Sequence, residues 1–388
     1  MTEPTKLRVL LVGNGGREHA IAWKLLQSSR IEHIYVCPGN GGTAMLDNVT
    51  NVESIRPNDF SGLVRFAKEK GVGLVVPGPE APLVEGITDY FEENMNAEEG
   101  RIKVFGPSRA AARMEGSKTF SKDFMKRHNI PTARFENFSS FDEARKYLDT
   151  IDHAVVIKAS GLAAGKGVII PSSKEEAQAA LKDIMQDKEF GDAGDEVVIE
   201  EFLEGDELSI LSFSDGTTIR SLPPAQDHKR IGDGDTGPNT GGMGTYAPTR
   251  IAPVDILDRI HTEILQPTID GMRDEGFAFK GVLFTGLMMT REGPRVLEYN
   301  VRFGDPETQS LLALLESDLA EIMVACAEGK LRDMQVKVGE GSAATVVVAA
   351  GGYPGPYKKG TVMTLDEVPK GESRHLDGTS STSVRLAS

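Results

Sequence analysis

Glu298, Asn300 and Arg302 stand two residues apart in 294-PRVLEYNVRFGDPETQ-309. In a strand, side chains alternate between faces, so these three share one face, while Leu297, Tyr299, Val301 and Phe303 form an apolar face for the core. A carboxylate and an amide oxygen at this spacing suit Mg²⁺, which takes few protein ligands and keeps positions for phosphate and water. Arg302, one step along, is able to grip a carboxylate with two parallel hydrogen bonds. The competing reading is an amphipathic strand with a solvated polar face. Asp305-Pro306-Glu307 reads as a helix start, with Asp305 at the N-cap and Pro306 at the first helical position.

A second candidate is 160-SGLAAGKGVII-170. A P-loop needs G-x-x-x-x-G-K-[ST] and a helix after the lysine. Here Gly161 to Gly165 is one residue short, and Gly167 follows Lys166 where Ser or Thr should hold a metal. Both flanks, 155–158 and 168–170, read as strands. The stretch is therefore a hairpin, either a flap that lays N–H groups over phosphates or a flexible tip with a solvated lysine. Lys158 ends the first of these strands, and Lys118 lies on a helix or its entrance in 115-EGSKTFSKDF-124. Lysines commonly serve phosphates as point charges, and the competing reading of each is a plain surface lysine. Glu200 and Glu207 bracket the turn after the strand 197–201. That linker has backbone groups for an adenine and Glu207 for ribose hydroxyls, or is a plain acidic turn. The glycine-rich 226-QDHKRIGDGDTGPNTGGMG-244 carries His228, Lys229 and Arg230 and implies close backbone approach or mobility. No Ser–His–Asp or Cys–His pairing and no zinc-like cluster stands out.

The third candidate is 13-GNGGREH-19. The dinucleotide fingerprint wants glycine at position 18, which is Glu18, and an acid after the second strand, where Cys37-Pro38-Gly39-Asn40 stands. An NAD site is not expected. A glycine turn at a helix N-terminus, with free N–H groups for a phosphate, remains, beside an ordinary tight turn.

The elements around these residues alternate strand and helix over the first hundred positions: strands at 7–12, 34–36 and 73–77, helices at 18–28 and 60–70. Continuous apolar strands with crossover helices predict a parallel α/β sheet, with ligands at the carboxyl ends of its strands. The loops 13–19, 38–43 and 77–83 lie at such ends. Polar residues 94–100 precede a short strand at 102–105, and a boundary follows soon after Ser108. Beyond it we expect helices at 115–129 and 141–150, strands at 281–290 and 295–301, a helix from 307 to 316 and a strand at 343–350. The Ser/Thr-rich 371–388 is expected to be disordered.

The 388 residues suffice for two or three domains. A net charge of −15 argues against a general nucleic-acid or membrane surface. No apolar run is long enough to span a bilayer, and residues 1–6 do not read as a signal peptide. Two unpaired-looking cysteines, Cys37 and Cys326, fit a reducing cytoplasm.

Together the stretches GNGGREHA, PGNGGTA, GPEAPLV, EGSK, KASGLAAGKGV, EEFLEGDE, QDHKR, DTGPNTGGMG and NVRFGDPETQ resemble the ATP-grasp superfamily and, in detail, the glycinamide ribonucleotide synthetase family. They occur in family order across about residues 7 to 360. The resemblance implies an N-terminal Rossmann-like α/β domain (1–110), an ATP-grasp core of two α+β lobes (111–325, with a flap subdomain at about 130–195) and a partial C-terminal β-rich segment (326–388). It implies that Lys118 and Lys158 contact ATP phosphates under a flap carrying Gly161, Gly165, Lys166 and Gly167. Glu200 and Leu203 would meet the adenine edge, and Glu207 the ribose. Glu298 and Asn300 would hold Mg²⁺ or Mn²⁺, with no acid on the preceding strand. Arg302 would orient glycine. Gly13, Asn14, Gly15, Gly16, Arg17, Glu18, Asn40, Gly41, Glu80, Asn239 and Gly241 would complete the substrate site. Lys118, Lys158 and Arg302 would carry catalysis.

The implied reaction joins glycine to 5-phosphoribosylamine through glycyl phosphate, yielding ADP and phosphate, in a monomer or dimer. Family members continue past GYPG into a final β-rich segment, which 371–388 does not match. That suggests a truncation, a divergent end or part of a multifunctional chain. Another ATP-grasp ligase would lack the PGNGGT and GPEAPL loops together, and a nucleotide-binding protein without catalysis would not release ADP with both substrates.

Overall fold

A computed structural model describes residues 6–95, 102–163, 166–234, 236–358, 360 and 385–386. The chain starts as β1 (Leu7–Gly13), α1 (Gly16–Leu25), β2 (Ile31–Pro38), β3 (Val49–Asn51), α2 (Phe60–Lys70), β4 (Leu74–Pro77), α3 (Glu80–Glu85), α4 (Ile87–Asn94) and β5 (Lys103–Val104). The strands form one parallel sheet in the order β3-β2-β1-β4-β5. Val9 to Val12 and Leu74 to Val76 are fully buried, as expected of strands covered on both faces. Because the sheet is parallel, the loops after β1, β2 and β4 emerge on the same side.

Two helices, α5 (Arg109–Gly116) and α6 (Lys118–Arg127), replace the single helix expected at 115–129. The break falls at Ser117, whose hydroxyl accepts from Phe120 N at 3.2 Å and so caps a new helix. Lys118 thus becomes the first residue of α6.

A lobe follows, built from β6 (Phe135–Phe138), α7 (Phe141–Thr150), β7 (Val155–Ala159), β8 (Val168–Ile169), α8 (Lys174–Met185) and β9 (Val197–Glu201). Its strands run β6-β9-β7-β8, all antiparallel. It has its own core, including Leu148, Ile157, Leu181, Ile184 and Ile199.

The remainder comprises β10 (Asp206–Asp215), β11 (Ile219–Ser221), β12 (Gln226–Asp227), β13 (Arg230–Gly232), β14 (Thr236–Asn239), β15 (Gly244–Ala247), α9 (Val254–Ile260), α10 (Gln266–Asp274), β16 (Lys280–Thr290), β17 (Gly293–Asn300), α11 (Glu307–Leu314), α12 (Leu319–Glu328), β18 (Ala343–Val348) and β19 (Arg385–Leu386). One sheet runs β11-β10-β16-β17 and another β12-β15-β18-β19. Part of the glycine-rich stretch 226–244 pairs as the β13–β14 hairpin. α11 starts at Glu307 as expected, but Pro306 rather than Asp305 is its N-cap, and Asp305 instead accepts from Gln309 Nε2 at 2.8 Å. Apart from 385–386, the expectation of disorder across 371–388 lies outside the described residues.

Candidate active site

β17 carries the Glu298–Asn300 row, and Arg302 follows. Against β16, Gly286 faces Glu298 and Leu287 faces Val296, so Leu297 has no opposite residue. This is a β-bulge. It corrects the expected apolar face: Val296, not Leu297, is fully buried beside Tyr299, Val301 and Phe303. The bulge presents the Leu297 carbonyl to Lys158, whose Nζ donates to it at 3.1 Å.

Lys158 comes from β7. Its ammonium also lies 3.0 Å from Glu200 Oε1, while Lys122 of α6 reaches Glu200 Oε2 at 3.1 Å. All three side chains are buried, at 7, 3 and 2% exposure for Lys158, Lys122 and Glu200. Glu200, expected at the adenine edge, turns its carboxylate inward between two lysines. Burial would raise its pKa, but Lys158 and then Lys122 outweigh that and hold it below the usual value. Burial pushes Lys122 down to about 8, with Glu200 pulling the other way. The sequence reading missed Lys122. Its signal was a lysine four residues after Lys118, on the same helix face. Lys118 Nζ donates to the Gly161 carbonyl at 3.2 Å. Burial lowers its pKa, opposed chiefly by Glu298.

Glu298 is the centre of this charge arrangement. Burial works against its ionisation, but Lys229, Lys158, Lys118 and Arg302 together lower its pKa. It stays a carboxylate at neutral pH, a hard oxygen donor beside the amide oxygen of Asn300. Among the described residues no group of three or more His, Cys, Asp and Glu is placed to hold a metal. The chemistry of one carboxylate and one amide oxygen fits a cation that takes few protein ligands and fills the rest with phosphate and water, as Mg²⁺ does.

Arg302 connects this row to the N-terminal sheet. Its Nε lies 3.2 Å from Glu80 Oε2, at the start of α3, and its Nη2 lies 3.3 Å from Glu115 Oε1. Nη1 donates to the Phe303 carbonyl at 3.1 Å. Burial opposes the guanidinium charge, but Glu115 and Glu80 more than offset it and raise its pKa. Glu115 also accepts from Val301 N at 2.7 Å, and burial pushes it up to about 7 against the pull of Arg302. Glu115 lay unremarked inside the EGSK stretch.

The first glycine loop departs from expectation. The Gly15 N–H is not free: it donates to Glu18 Oε2 at 2.6 Å, and Arg17 Nε donates to Glu18 Oε1 at 2.6 Å. Glu18 is buried at 1% exposure and caps its own helix from the third helical position. A Cβ on Gly13 would meet Glu18 Cδ at 2.6 Å, and one on Gly78 would meet Glu18 Oε1 at 2.0 Å. Those glycines make room for the carboxylate. Asn40 ties the second loop to the first, its Nδ2 donating to the Asn14 and Gly15 carbonyls at 3.0 Å each. Gly41 is exposed beside it, and Gly16 opens α1.

In the flap, β7 pairs with β8, Lys158 opposite Val168. Gly161 and Gly167 are closely packed: an added Cβ would meet Ala193 Cα at 2.7 Å and Ala163 Cβ at 2.7 Å respectively. Lys166 is exposed, and Gly165 lies outside the described residues. Leu203 is half-buried in the turn after β9. Glu207, exposed on β10, pairs with Lys229 at 2.7 Å. Asn239 is exposed on β14 opposite Arg230, and Gly241 N donates to Tyr353 Oη at 3.2 Å.

A hairpin lobe and an antiparallel sheet holding lysines against a carboxylate–amide row, beside a parallel N-terminal sheet, define an ATP-grasp protein. The family described as "Phosphoribosylglycinamide synthetase, N domain" matches residues 7–115, and "Phosphoribosylglycinamide synthetase, ATP-grasp (A) domain" matches residues 116–308. The phosphoribosylamine–glycine ligase of Vibrio parahaemolyticus is 47% identical over 359 residues, 92% of this chain and 82% of that protein. The crystal structure of the Thermotoga maritima phosphoribosylamine–glycine ligase superposes with a TM-score of 0.78 at 36% identity, covering 93% of this chain and 85% of that one. A bifunctional purine biosynthetic protein of Pichia angusta is 60% identical over 365 residues, 93% of this chain, and the chain spans only 46% of its length. The chain belongs to the phosphoribosylglycinamide synthetase (phosphoribosylamine–glycine ligase) family.

Proposed function

We propose that this chain ligates glycine to 5-phosphoribosylamine at the expense of ATP, giving glycinamide ribonucleotide, ADP and phosphate, in the cytoplasm. One observation carries the reading. Helices that follow strands of the N-terminal sheet reach the segment after β17 directly, Glu80 of α3 through Arg302 at 3.2 Å and Arg17 of α1 through the Phe303 carbonyl at 3.2 Å. A substrate held at the carboxyl ends of β1, β2 and β4 would therefore lie next to a nucleotide held by the lysines.

In this reading Lys118 and Lys158 neutralise phosphate charge as the glycine carboxylate attacks the γ-phosphate. Arg302 orients that carboxylate. The phosphoribosylamine nitrogen then attacks the glycyl phosphate carbonyl and phosphate leaves. Such chemistry needs positioning and charge neutralisation rather than a protein nucleophile. Glu298 and Asn300 would hold Mg²⁺ (or Mn²⁺), which when bound adds positive charge at the phosphates. The loops 13–19, 38–43 and 77–83 would hold the ribose phosphate, with Asn239 and Gly241 at the rim. Glu207 would serve the ribose of ATP, and Leu203 its base. The test is ADP release coupled to mass detection of glycinamide ribonucleotide, with each substrate omitted in turn. ADP release that ignores phosphoribosylamine would overturn the reading.

A further inference from the structure

Two interior carboxylates, Asp227 and Glu307, have no part in holding phosphate or metal. α11 brings them together. It lies over the β12–β15–β18 sheet, where Ser310 Oγ donates to the Thr245 carbonyl at 3.0 Å and lies 2.8 Å from Thr345 Oγ1. Glu307 stands three residues before Ser310, one turn back on the same helix face. Asp227 pairs with Thr245 across β12 and β15, and directly opposite residues turn their side chains to the same face of a sheet. The Ser209 hydroxyl of β10 donates to Glu307 Oε1 at 3.2 Å, and Ser209 bridges to Ala225, which shares a strand face with Asp227. Burial and then Glu307 raise the pKa of Asp227, and burial raises that of Glu307. Two carboxylates in one interior space do not both ionise readily, so the pair keeps a proton.

Among the described residues, no hydrogen-bond partner reaches the buried Asp227 Oδ1, or the hydroxyl of Thr245, which is 2% exposed. Interior polar groups in this condition cost stability and call for a reason. Lys229 offsets part of the negative charge of both carboxylates, but its ammonium donates to Glu207 at 2.7 Å. Glycine backbone closes in on the pair where a side chain would otherwise stand. A Cβ on Gly242 would meet Asp227 Oδ1 at 2.8 Å, and one on Gly304 would meet Glu307 Oε2 at 2.6 Å. What suits the pair is a small, positively charged donor from outside the chain. Arg302 narrows the choice. After Glu115 and Glu80, Glu307 is the carboxylate that most raises the Arg302 pKa. A guanidinium able to grip a carboxylate therefore neighbours a carboxylate pair able to accept from an ammonium. An α-amino acid carries those two charges one carbon apart.

We propose that Asp227, Glu307 and the Thr245 hydroxyl receive the ammonium of glycine, while Arg302 takes its carboxylate. This rests on the ligase reading and names the groups that tell an amino acid from a plain carboxylic acid. The amine of 5-phosphoribosylamine shares this chemistry, and the test separates the two.

The full chain is given a non-hydrolysable ATP analogue and Mg²⁺, and its affinities for glycine and for glycolate, which has a hydroxyl in place of the amine, are measured by ligand-observed NMR. The wild type should prefer glycine. The double variant Asp227→Asn with Glu307→Gln removes the charge whichever carboxylate holds the proton. It should weaken glycine by roughly tenfold or more and change glycolate by less than about twofold. Thr245→Val should act in the same direction at smaller amplitude, and it carries the test if the double variant does not fold. In turnover, KM for glycine should rise in the variants while KM for phosphoribosylamine holds. A preference for glycine as large in the variants as in the wild type would overturn the proposal. So would a rise confined to the phosphoribosylamine KM, which would give the pair to that amine. Either failure leaves glycinamide ribonucleotide formation by the wild type intact. Failure of the ligase reading is a wild type that forms none. A glycine preference that the variants abolish would then still support an amino-acid site, and no glycine binding at all would overturn both.

Discussion

Two lysine–glutamate pairs flank Glu298, in opposite surroundings. Lys158 and Glu200 sit in the interior at 7 and 2% exposure, with Lys122 as a third partner. Lys229 and Glu207 sit at the rim, at 39 and 45% exposure and 2.7 Å apart. Both lysines favour the ionised form of Glu298. The interior lysine is fixed by acceptors from β9 and β17, and its partners lose much if it goes. The rim pair keeps more than a third of each side chain in solvent.

The largest expected effect is at the carboxylate both pairs serve. Glu298→Ala should cut Mg²⁺-dependent turnover by roughly a hundredfold or more, with circular dichroism unchanged. Near-normal turnover at saturating Mg²⁺ would remove Glu298 from the metal site.

Next comes the interior array. Glu200→Ala leaves two buried lysines without their counter-charge and should cost about 3–5 kcal/mol in urea unfolding. A loss below about 1 kcal/mol would mean that water reaches this space and that the interior pair resembles the rim pair.

A pH effect separates a further interior carboxylate from both. Glu115 is raised to about 7 in the folded protein from an ordinary 4.5. A raised carboxyl favours the folded state below its unfolded pKa, and that contribution is lost as pH rises through the folded value. Between pH 5 and 7 the wild type should therefore lose on the order of 1–3 kcal/mol more than Glu115→Gln. Parallel unfolding curves for the two proteins would place Glu115 in water.

The smallest effect belongs to the rim. Glu207→Gln should change stability by less than about 1 kcal/mol, and added salt should shrink even that. A large loss would mean that the rim pair is as dry as the interior one.

Much of this arrangement was legible in the chain. Period-two alternation from 294 to 303 put Glu298, Asn300 and Arg302 on one face without knowledge of any partner strand, because strand geometry is local. Apolar runs at 7–12 and 73–77 announced a covered parallel sheet, and the turn chemistry around them placed three loops at its carboxyl ends. What escaped depends on distant partners. The bulge at Leu297 exists only against β16, so the inward position of Val296 could not be read from β17 alone. The capping role of Glu18 needs the space left by Gly78, sixty residues on. Lys122, Glu200 and Lys158 come from α6, β9 and β7, and each alone looks like an ordinary charged surface residue. Local periodicity determines which residue types face the same way. Which of those charges leave water, and which partner each then finds, is decided by tertiary packing, because desolvation and ion pairing act through space and not along the chain.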